Sequence, residues 1–422
     1  MFWVRKLLNH EPQPSESNDD DSAAWDAQNA QVIDFWENLR DWFSTKGYTL
    51  YKLRYIGSCI LSLQTPTVQV VETPDWPYAF WGDDILYGDL VPLEAFLSNK
   101  ICFAHDRQGQ HVAIKRLGVL DGSQEYVISG FLYENRKQAT ENCILPIIEI
   151  LEYEGYSFAV MPRWGEGPLM PDFSSIGEIL HYIHCLLKAI NFLHLNFIVH
   201  RDINCRNTLV NHFGAYQLGD NEKRRNLRSS GKLTYALYDF DLSLMLPSTS
   251  LQDECRLPAW RSFEIISTES PYNTRQAEVD YNPFVFEMGC LGIMFCEEFQ
   301  HCTPSIPLLA PFLDRLITDN LHERFTSSAA LRFFEEILTQ LSPAQLSIPP
   351  PPSPSHYAPW EPAKYNRWRG LPEDFLKQWA HFRAPLPSMY TKVLRRICLT
   401  LWGIRCVRAI RHFKRVVLRI IR

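Results

Sequence analysis

One eight-residue string, HRDINCRN from His200 to Asn207, combines side chains that could do chemistry together. Asp202 and Asn207 lie five residues apart, so that in a loop the two side chains are about one turn from each other. A carboxylate can orient an incoming hydroxyl group and accept its proton, and a carboxamide oxygen can ligate Mg²⁺. The string therefore predicts a site where a hydroxyl group is activated beside a metal ion.

The elements around this string should hold it in place. A helix is predicted directly before it, because Ser175 and Glu178 form a capping-box pattern and an apolar stripe follows at helical spacing. The stripe consists of Ile179, Ile183, Leu186, Leu187 and Ile190. The run TLV after the string has the composition of a strand.

A β-rich region comes before that helix. The runs LEAFLSNKICFAH and HVAIKRL flank the turn DRQGQ and predict a hairpin within residues 88–119. A helical stretch is expected near 123–138, followed by two strand-like runs, ILPIIEIL and SFAVM. A small sheet followed by a helical region predicts an α+β fold with two lobes.

The motifs HVAIK, HRDINCRN and YALYDFDLS resemble those of the eukaryotic protein kinase family, in that family's order, over residues 88–340. The resemblance implies a bilobal protein kinase-like fold, with a small β-rich lobe at 88–160 and a larger α-helical lobe at 161–340. It also implies that ATP and Mg²⁺ are the cofactors.

The resemblance assigns roles to individual residues. Lys115 would pair with the α- and β-phosphates, Asp202 would position the substrate hydroxyl, and Asn207 and Asp239 would ligate Mg²⁺. Phe240, the residue after Asp239, would be a packing switch.

Two further groups of residues complete the expected site. Glu125 is the expected helix partner of Lys115, because EYVISGFL has the apolar spacing of the family's C-helix, and Glu134 is the competing candidate. The adenine would be surrounded by Ala113, the gatekeeper Met161, backbone groups of Pro162 and Trp164, and Leu209.

Scaffold residues of the family also have counterparts. In EMGCLGIMF, Glu287 stands where an aspartate usually braces the catalytic loop, and Gly292 stands at the matching glycine. Arg324 in HERFTSSAAL would pair with Glu264 in PAWRSFE, at the end of an activation segment. Small-molecule phosphotransferases of related fold usually lack that segment.

The glycines depart from the family pattern. Gly109 in the hairpin turn is the only glycine between Asp89 and Lys115, so the phosphate-covering GxGxxG is missing. Asp241 replaces the glycine after Phe240, which could restrict movement of this turn or place an extra carboxylate near the metal. Both changes predict altered nucleotide binding.

Composition predicts the character of the flanking segments and of one internal insertion. Residues 1–25 are expected to be a disordered acidic lead, and 26–87 a helical extension with an apolar face from Val32 to Phe43. WFSTKGYTLYKLRY within it is similar to an extension in expanded kinase-like families of mushroom-forming fungi. Residues 211–233 are expected to be a solvated surface loop, and 341–363 a proline-rich linker.

The C-terminal tail, residues 364–422, is basic. Lys392–Arg422 contains ten Lys and Arg and no acidic residue. Because the formal net charge of the whole chain is −6, the rest of the chain has a net charge of −16. Two short amphipathic helices that change over near Gly403 are predicted, with apolar faces of Leu394, Ile397, Leu401 and Ile404 in one and of Ile410, Phe413, Val417 and Ile421 in the other. An anionic membrane surface, nucleic acid and the acidic body of the chain itself remain alternative partners, although no nucleic-acid signature is present.

Composition limits the class of protein. With 46% hydrophobic and 21% charged residues the chain resembles a soluble globular protein, and eleven scattered cysteines without a CxxC pair argue against a disulfide framework or a zinc site. No signal peptide or membrane-spanning run is recognised. A cytoplasmic or nuclear location, with peripheral membrane association as an alternative, is expected.

Three functions remain open. The first is a protein kinase that transfers the γ-phosphate of ATP to a protein hydroxyl; serine or threonine is the default acceptor, although Asn204 and Arg206 give the loop a feature of many tyrosine kinases. The second is a pseudokinase scaffold that binds nucleotide weakly or not at all. The third is an adaptor whose tail docks on an anionic surface.

Overall fold

A computed structural model describes residues 19–56, 59–63, 77–82, 100–119, 122–214, 221–248, 251–264, 271, 276–352 and 365–421. The strands are β1 Thr49–Leu50, β2 Lys52–Ile56, β3 Cys59–Leu63, β4 Phe80–Trp81, β5 Ile101–His105, β6 His111–Val119, β7 Glu149–Tyr153, β8 Tyr156–Pro162, β9 Ile198–Val199, β10 Thr208–Val210, β11 His212–Phe213, β12 Tyr235–Leu237, β13 Leu244–Met245, β14 Leu257–Pro258 and β15 Asp280–Tyr281.

The helices are α1 Asp19–Lys46, α2 Gln124–Glu134, α3 Arg136–Glu141, α4 Ile176–Leu195, α5 Glu222–Ser229, α6 Pro283–Phe299, α7 Leu309–Ile317, α8 Ser327–Thr339, α9 Pro343–Leu346, α10 Glu373–Trp379, α11 Met389–Ile397 and α12 Leu401–Ile421. Short 3₁₀ segments are Cys205–Asn207, Ala259–Glu264, Gln300–Cys302 and Ala380–Phe382.

The small lobe is built on one antiparallel sheet in the order β1-β5-β6-β8-β7. Its register pairs Lys115 with Ile101 on one side and with Ala159 on the other. Helix α2 packs beside β6 and β7, because its buried Ile128 and Leu132 face the sheet. The side chain of Ser123 accepts a hydrogen bond from the backbone N–H of Tyr126 and caps the start of α2.

The large lobe is helical. Helix α4 packs against α8, and α6 packs against α7, around fully buried aromatic rings such as Tyr182, Phe295 and Phe334. Ser175 caps α4 through a hydrogen bond from the backbone N–H of Glu178. Sheet and helices together confirm the α+β, two-lobed fold expected from the order of motifs.

The N-terminal boundary at residue 88 was wrong. Strand β1 joins the edge of the main sheet by pairing with β5, and α1 covers the sheet through Trp36 and Phe43, which are fully buried against Phe158. Burying side chains of this size stabilises the lobe by roughly 1.5–3 kcal/mol each. The helix predicted from residue 32 is therefore confirmed, but it belongs to the small lobe.

The disordered lead was also placed too long. Helix α1 begins at Asp19, so residues 19–25 of the expected disordered segment are helical. The aspartates at positions 19, 20 and 21 fall in the first turn, where negative charge interacts favourably with the helix dipole. Residues 1–18 lie outside the described part of the chain.

The segment 211–233 is not only a solvated loop. It contains strand β11, which pairs in parallel with β4, and helix α5, whose arginines Arg224 and Arg228 are buried. Residues 215–220 of this segment lie outside the described residues.

The large lobe does not end at residue 340. Helix α9 lies within the predicted linker, and the backbone N–H of Ile176 donates to the carbonyl of Ile348 at 2.9 Å. After the linker, Arg367 forms a buried ion pair with Asp314, and Trp368 Nε1 donates to the same carboxylate at 2.8 Å. The chain from 365 to 384 is therefore packed on the large lobe, and the separate tail begins later than residue 364.

Candidate active site

Lys115 lies at the centre of the cleft between the lobes. Strand β6 carries it into the cleft, where its Nζ lies 2.6 Å from Glu125 Oε1 on α2. Both side chains are about nine-tenths buried, which holds the pair in one geometry. Glu134, the competing candidate for this pair, is exposed at the far end of the same helix.

Two aspartates complete a cage around the same ammonium group. Asp239 Oδ1 lies 2.6 Å and Asp241 Oδ1 2.7 Å from Lys115 Nζ. Although burial opposes the charge of Lys115, the carboxylates of Asp239, Glu125 and Asp241 hold its pKa above the usual range. Lys115 is therefore positively charged throughout the physiological pH range.

The carboxyl groups of the cage share their charge unequally. Burial, together with the neighbouring Asp241, raises the pKa of Glu125 to about 8. Burial opposes ionisation of Asp241 too, but hydrogen bonding from Glu125 and the charge of Lys115 hold its pKa below the usual range. The cage thus favours ionisation of Asp241 over that of Glu125.

The catalytic loop holds its carboxylate by two amide groups. Asn207 Nδ2 donates to Asp202 Oδ2 at 2.8 Å, and Asn204 Nδ2 donates to Asp202 Oδ1 at 3.0 Å. Asn204 Oδ1 in turn accepts from the backbone N–H groups of Arg206 and Asn207 and starts the 3₁₀ turn. The loop thereby fixes the direction in which Asp202 can accept a proton.

A buried glutamate anchors this loop to the large lobe. Glu287 Oε1 on α6 accepts from the backbone N–H of Arg201 at 2.6 Å, and its Oε2 lies 2.8 Å from Nε2 of His194 on α4. Because Arg201 precedes Asp202 directly, Glu287 positions the catalytic loop without reaching the cleft itself. This is the bracing geometry expected for Glu287.

His200 joins the loop to the strand that carries Asp239. Its Nδ1 accepts from the backbone N–H of Asp202, so Nε2 carries the proton and donates to the carbonyl of Tyr238 at 2.8 Å. The ring of Phe240 packs against the same imidazole, with centroids 5.2 Å apart. Asp239 is held with φ of 68°, a left-handed conformation that is uncommon for an aspartate.

A small pocket, partly open to solvent, lies between Lys115 and Met161. Asp239 and Phe240 line its floor. The pocket has both the buried cation and the apolar wall that a nucleotide would need.

Of the residues expected around adenine, Met161 lines this pocket, and Ala113 and Pro162 lie on the paired strands β6 and β8. Ala113 is opposite Met161 across the sheet, and Pro162 is opposite Val112. Leu209 is buried in β10, directly after the catalytic loop. Trp164 is buried, but its indole Nε1 donates to the carbonyl of Pro77 at 2.8 Å, so the ring packs toward the N-terminal segment.

The donors present fit a hard divalent cation. Oxygen atoms of Glu125, Asp239 and Asp241 lie within 4.8 Å of one another. The amide nitrogen of Asn207 is turned toward Asp202, so its oxygen is the atom that could ligate a metal. Carboxylate and amide oxygens are the ligands that Mg²⁺ prefers.

Sequence reasoning missed Lys100. Its Nζ donates to Asp241 Oδ2 at 2.5 Å, so the carboxylate of Asp241 bridges two ammonium groups. The residue lies directly before β5, and the backbone N–H of Arg116 donates to its carbonyl, which places it beside Lys115. A lysine at the start of a strand carries no spacing signal that would have revealed it.

The structured insertion was also missed. Arg224 Nη1 donates to the carbonyls of Glu166, Gly167 and Met170, each at 3.1 Å, directly after the hinge, residues 162–164 at the end of β8. Arg228 donates to carbonyls of the same segment, at Pro168 and Met170. The two buried guanidinium groups replace a helical or sheet ladder for this stretch of backbone.

The predicted pair of Arg324 and Glu264 concerns a side chain outside the described residues, because that of Glu264 is not among them. Arg324 donates to the carbonyls of Thr318 and Val285, at 2.7 Å and 3.1 Å.

Comparisons with known proteins agree with this geometry. The family described as protein kinase domain matches residues 101–306. A probable serine/threonine-protein kinase of Dictyostelium discoideum is 23% identical over 270 residues, which is 60% of this chain and 37% of that protein. Cyclin-dependent kinase-like 5 of mouse and that of human are each 38% identical over 69 residues, 16% of this chain and 7% of theirs.

The chain thus spans little more than a third of the first of these relatives and far less of the other two. The matched region contains the whole cage around Lys115 and the loop of Asp202. From its motifs, its two-lobed fold and these matches, the chain contains a protein kinase domain and belongs to the eukaryotic protein kinase superfamily.

Proposed function

We propose that this chain is an active protein kinase that transfers the γ-phosphate of ATP to a serine or threonine hydroxyl of a protein substrate. The observation that carries the proposal is the 2.6 Å contact between Lys115 Nζ and Glu125 Oε1. Phosphoryl transfer in kinases requires this pair, because it sets the lysine that receives the phosphates. The names of the relatives support the class of protein kinases: one is a probable serine/threonine-protein kinase and two are cyclin-dependent kinase-like proteins.

The roles follow from the geometry. Asp202, oriented by Asn204 and Asn207, would accept the proton of the substrate hydroxyl as the oxygen attacks phosphorus. Lys115 would hold the phosphate oxygens in place. When bound through Asn207 and Asp239, Mg²⁺ supplies positive charge that offsets the charge developing on the phosphates.

The test is phosphate transfer from γ-labelled ATP·Mg²⁺ to a mixture of protein substrates, followed by identification of the phosphorylated amino acid. Phosphoserine or phosphothreonine that disappears in Lys115→Met would support the proposal. Phosphotyrosine alone would support a kinase and overturn the assigned acceptor. No label in any product would overturn the proposed activity.

One observation favours a second function, a pseudokinase scaffold. The carboxylate of Asp241 accepts hydrogen bonds from Lys115 and Lys100, where a phosphate group would otherwise bind. The sequence before β6 also lacks the glycine loop. Such a protein would bind nucleotide weakly or not at all. A thermal shift with ATP·Mg²⁺, in a preparation that transfers no phosphate, would separate the two functions.

A cytoplasmic or nuclear location is proposed as well. The ten cysteines whose side chains the structure describes carry free thiols, which supports a reducing compartment. Among the described residues, none of the helices has both the length and the apolar character needed to cross a membrane. Fractionation of cells that express the tagged chain tests the location.

A further inference from the structure

Helices α11 and α12 each have one face that packs on the large lobe. Leu394, Cys398, Ile404 and Val407 form a small apolar cluster with Ala277. This corrects the stripe expected from the sequence, because the helices break at residues 398–400 and Ile397 and Leu401 turn outward. A Cβ at Gly403 would lie 1.9 Å from the carbonyl oxygen of Ile397, so the two helices meet more closely than any larger residue allows.

Ion pairs fix the same face to acidic residues of the body. The pairs are Arg395 with Asp319 at 2.7 Å, Arg411 with Glu278 at 3.8 Å and Arg415 with Asp280 at 2.6 Å. The acidic body is thus one real partner of the basic tail. These ion pairs involve three of the ten positively charged residues in 392–422.

The opposite face of both helices is apolar and exposed. At 100° per residue, Met389, Tyr390, Val393 and Ile397 span about 100° of α11, and Trp402 and Phe413 lie within about 20° of each other on α12. Exposed fractions on this face include 53% for Val393, 75% for Trp402 and 70% for Phe413. Several large apolar side chains exposed on one side of two neighbouring helices indicate a binding site.

Positive charges flank this surface. Lys392, Arg396, Arg405 and Lys414 are all exposed on the same two helices, and no acidic side chain lies between residues 392 and 422. Aromatic and aliphatic side chains beside lysine and arginine are the pattern of helices that lie in a lipid–water interface.

We propose that the outward face of α11 and α12 docks on an anionic membrane surface. Trp402, Phe413 and the aliphatic residues of α11 would enter the headgroup and acyl boundary, while the flanking cations meet lipid phosphates and carboxylates. Nucleic acid fits less well, because Val393 and Ile397 offer a polyanion no stacking surface. This proposal is independent of the catalytic activity.

Co-sedimentation of the full chain with vesicles tests the proposal. Vesicles of phosphatidylcholine with about 30% phosphatidylserine should bind the protein, vesicles of phosphatidylcholine alone should bind it much more weakly, and added salt should weaken binding. Trp402→Ser with Phe413→Ser should reduce the partition coefficient at least about tenfold, and Arg405→Glu with Lys414→Glu should do the same.

Matched controls remove similar groups elsewhere on the surface. Leu195→Ser with Leu251→Ser takes away two exposed leucines, and Lys52→Glu with Lys137→Glu makes the same change in net charge. Both controls should bind as the wild type does, and all variants should keep its melting temperature. The proposal is overturned if the wild type does not bind vesicles, or if the controls lose as much binding as the variants of the tail. It is also overturned if Trp402→Ser with Phe413→Ser still binds vesicles and the protein binds an RNA oligonucleotide equally well.

Discussion

The carboxylate of Asp241 lies 2.7 Å from Lys115 Nζ, at a position where the kinase family usually has no side chain at all. The backbone tolerates the substitution, because among the residues of this turn it is Asp239, with φ of 68°, that takes the left-handed conformation. The extra carboxylate also accepts from Lys100, so it holds two ammonium groups where phosphate oxygens would bind.

Asp241→Gly should therefore tighten ATP binding. Removing the carboxylate frees Lys115 and Lys100 for phosphate, and a charge-assisted hydrogen bond regained by the nucleotide corresponds to roughly a tenfold lower Kd. Isothermal titration with ATP·Mg²⁺ measures the change, with the exposed Asp253→Gly as a control. Weaker binding by Asp241→Gly would show that Asp241 assists the nucleotide, as a metal ligand does.

Glu287→Gln should slow turnover without changing ATP affinity. The substitution keeps the shape but weakens the acceptor for the backbone N–H of Arg201, so Asp202 is held less firmly. A loss of about 1–3 kcal/mol of positioning corresponds to roughly a 5- to 160-fold lower kcat, with KM for ATP unchanged.

Glu287→Asp keeps the carboxylate and should recover part of that rate. A purely structural role for Glu287 would instead lower the melting temperature of both variants and reduce kcat in proportion to the unfolded fraction. Steady-state kinetics together with thermal melting distinguish the two roles.

Arg224→Ala should destabilise the fold. It removes the donor to the part-buried carbonyl of Glu166 and to the buried carbonyl of His212, and each such loss is costly. We expect about 3 kcal/mol from urea unfolding, against little change for the exposed Lys232→Ala. If Arg224→Ala unfolds like the wild type, the insertion is not part of the folded unit.

Stability should fall in acid through His212. Burial, together with the Arg224 guanidinium, lowers the pKa of His212 to about 3, whereas the unfolded side chain titrates near 6.5. A folded pKa below the unfolded one means that the stabilisation is complete above about 6.5 and is lost as the pH falls toward 3. One such histidine costs about 2 kcal/mol between pH 6.5 and 5.

His212→Gln should therefore show a shallower decline of unfolding free energy between pH 6.5 and 5 than the wild type. Burial also lowers the pKa of His111 to about 3. Part of the decline in unfolding free energy therefore remains in both proteins. The exposed His322→Gln serves as the control. Identical slopes for wild type and His212→Gln would contradict the buried, neutral state of this imidazole.

Much of the fold and the central site could be predicted from the sequence, because their signals are local. The motif that contains Asp202 and Asn207 consists of contiguous residues, and the apolar period of α4 marks the helix that precedes it. The choice of Glu125 over Glu134 depended on helical spacing alone, and the structure places Glu125 beside Lys115.

The remaining features depend on contacts between distant residues. Arg224 and Arg228 look like solvated charges in the sequence, yet both are buried and donate to backbone carbonyls after the hinge. Strand β1 has only two residues, too few for a period, and joins the sheet through β5. Lys100 became part of the site only when the fold brought it to Asp241.

Comparison of the wild type with Asp202→Asn tests the central claim most directly. Both proteins should bind ATP·Mg²⁺ with the same Kd, because the role proposed for Asp202 is to act on the substrate hydroxyl and not to hold the nucleotide. Transfer of labelled phosphate should fall by about 10²- to 10⁴-fold in Asp202→Asn and remain at the wild-type rate in the control Asp172→Asn. A wild type that binds ATP·Mg²⁺ but transfers no more phosphate than Asp202→Asn would contradict the account.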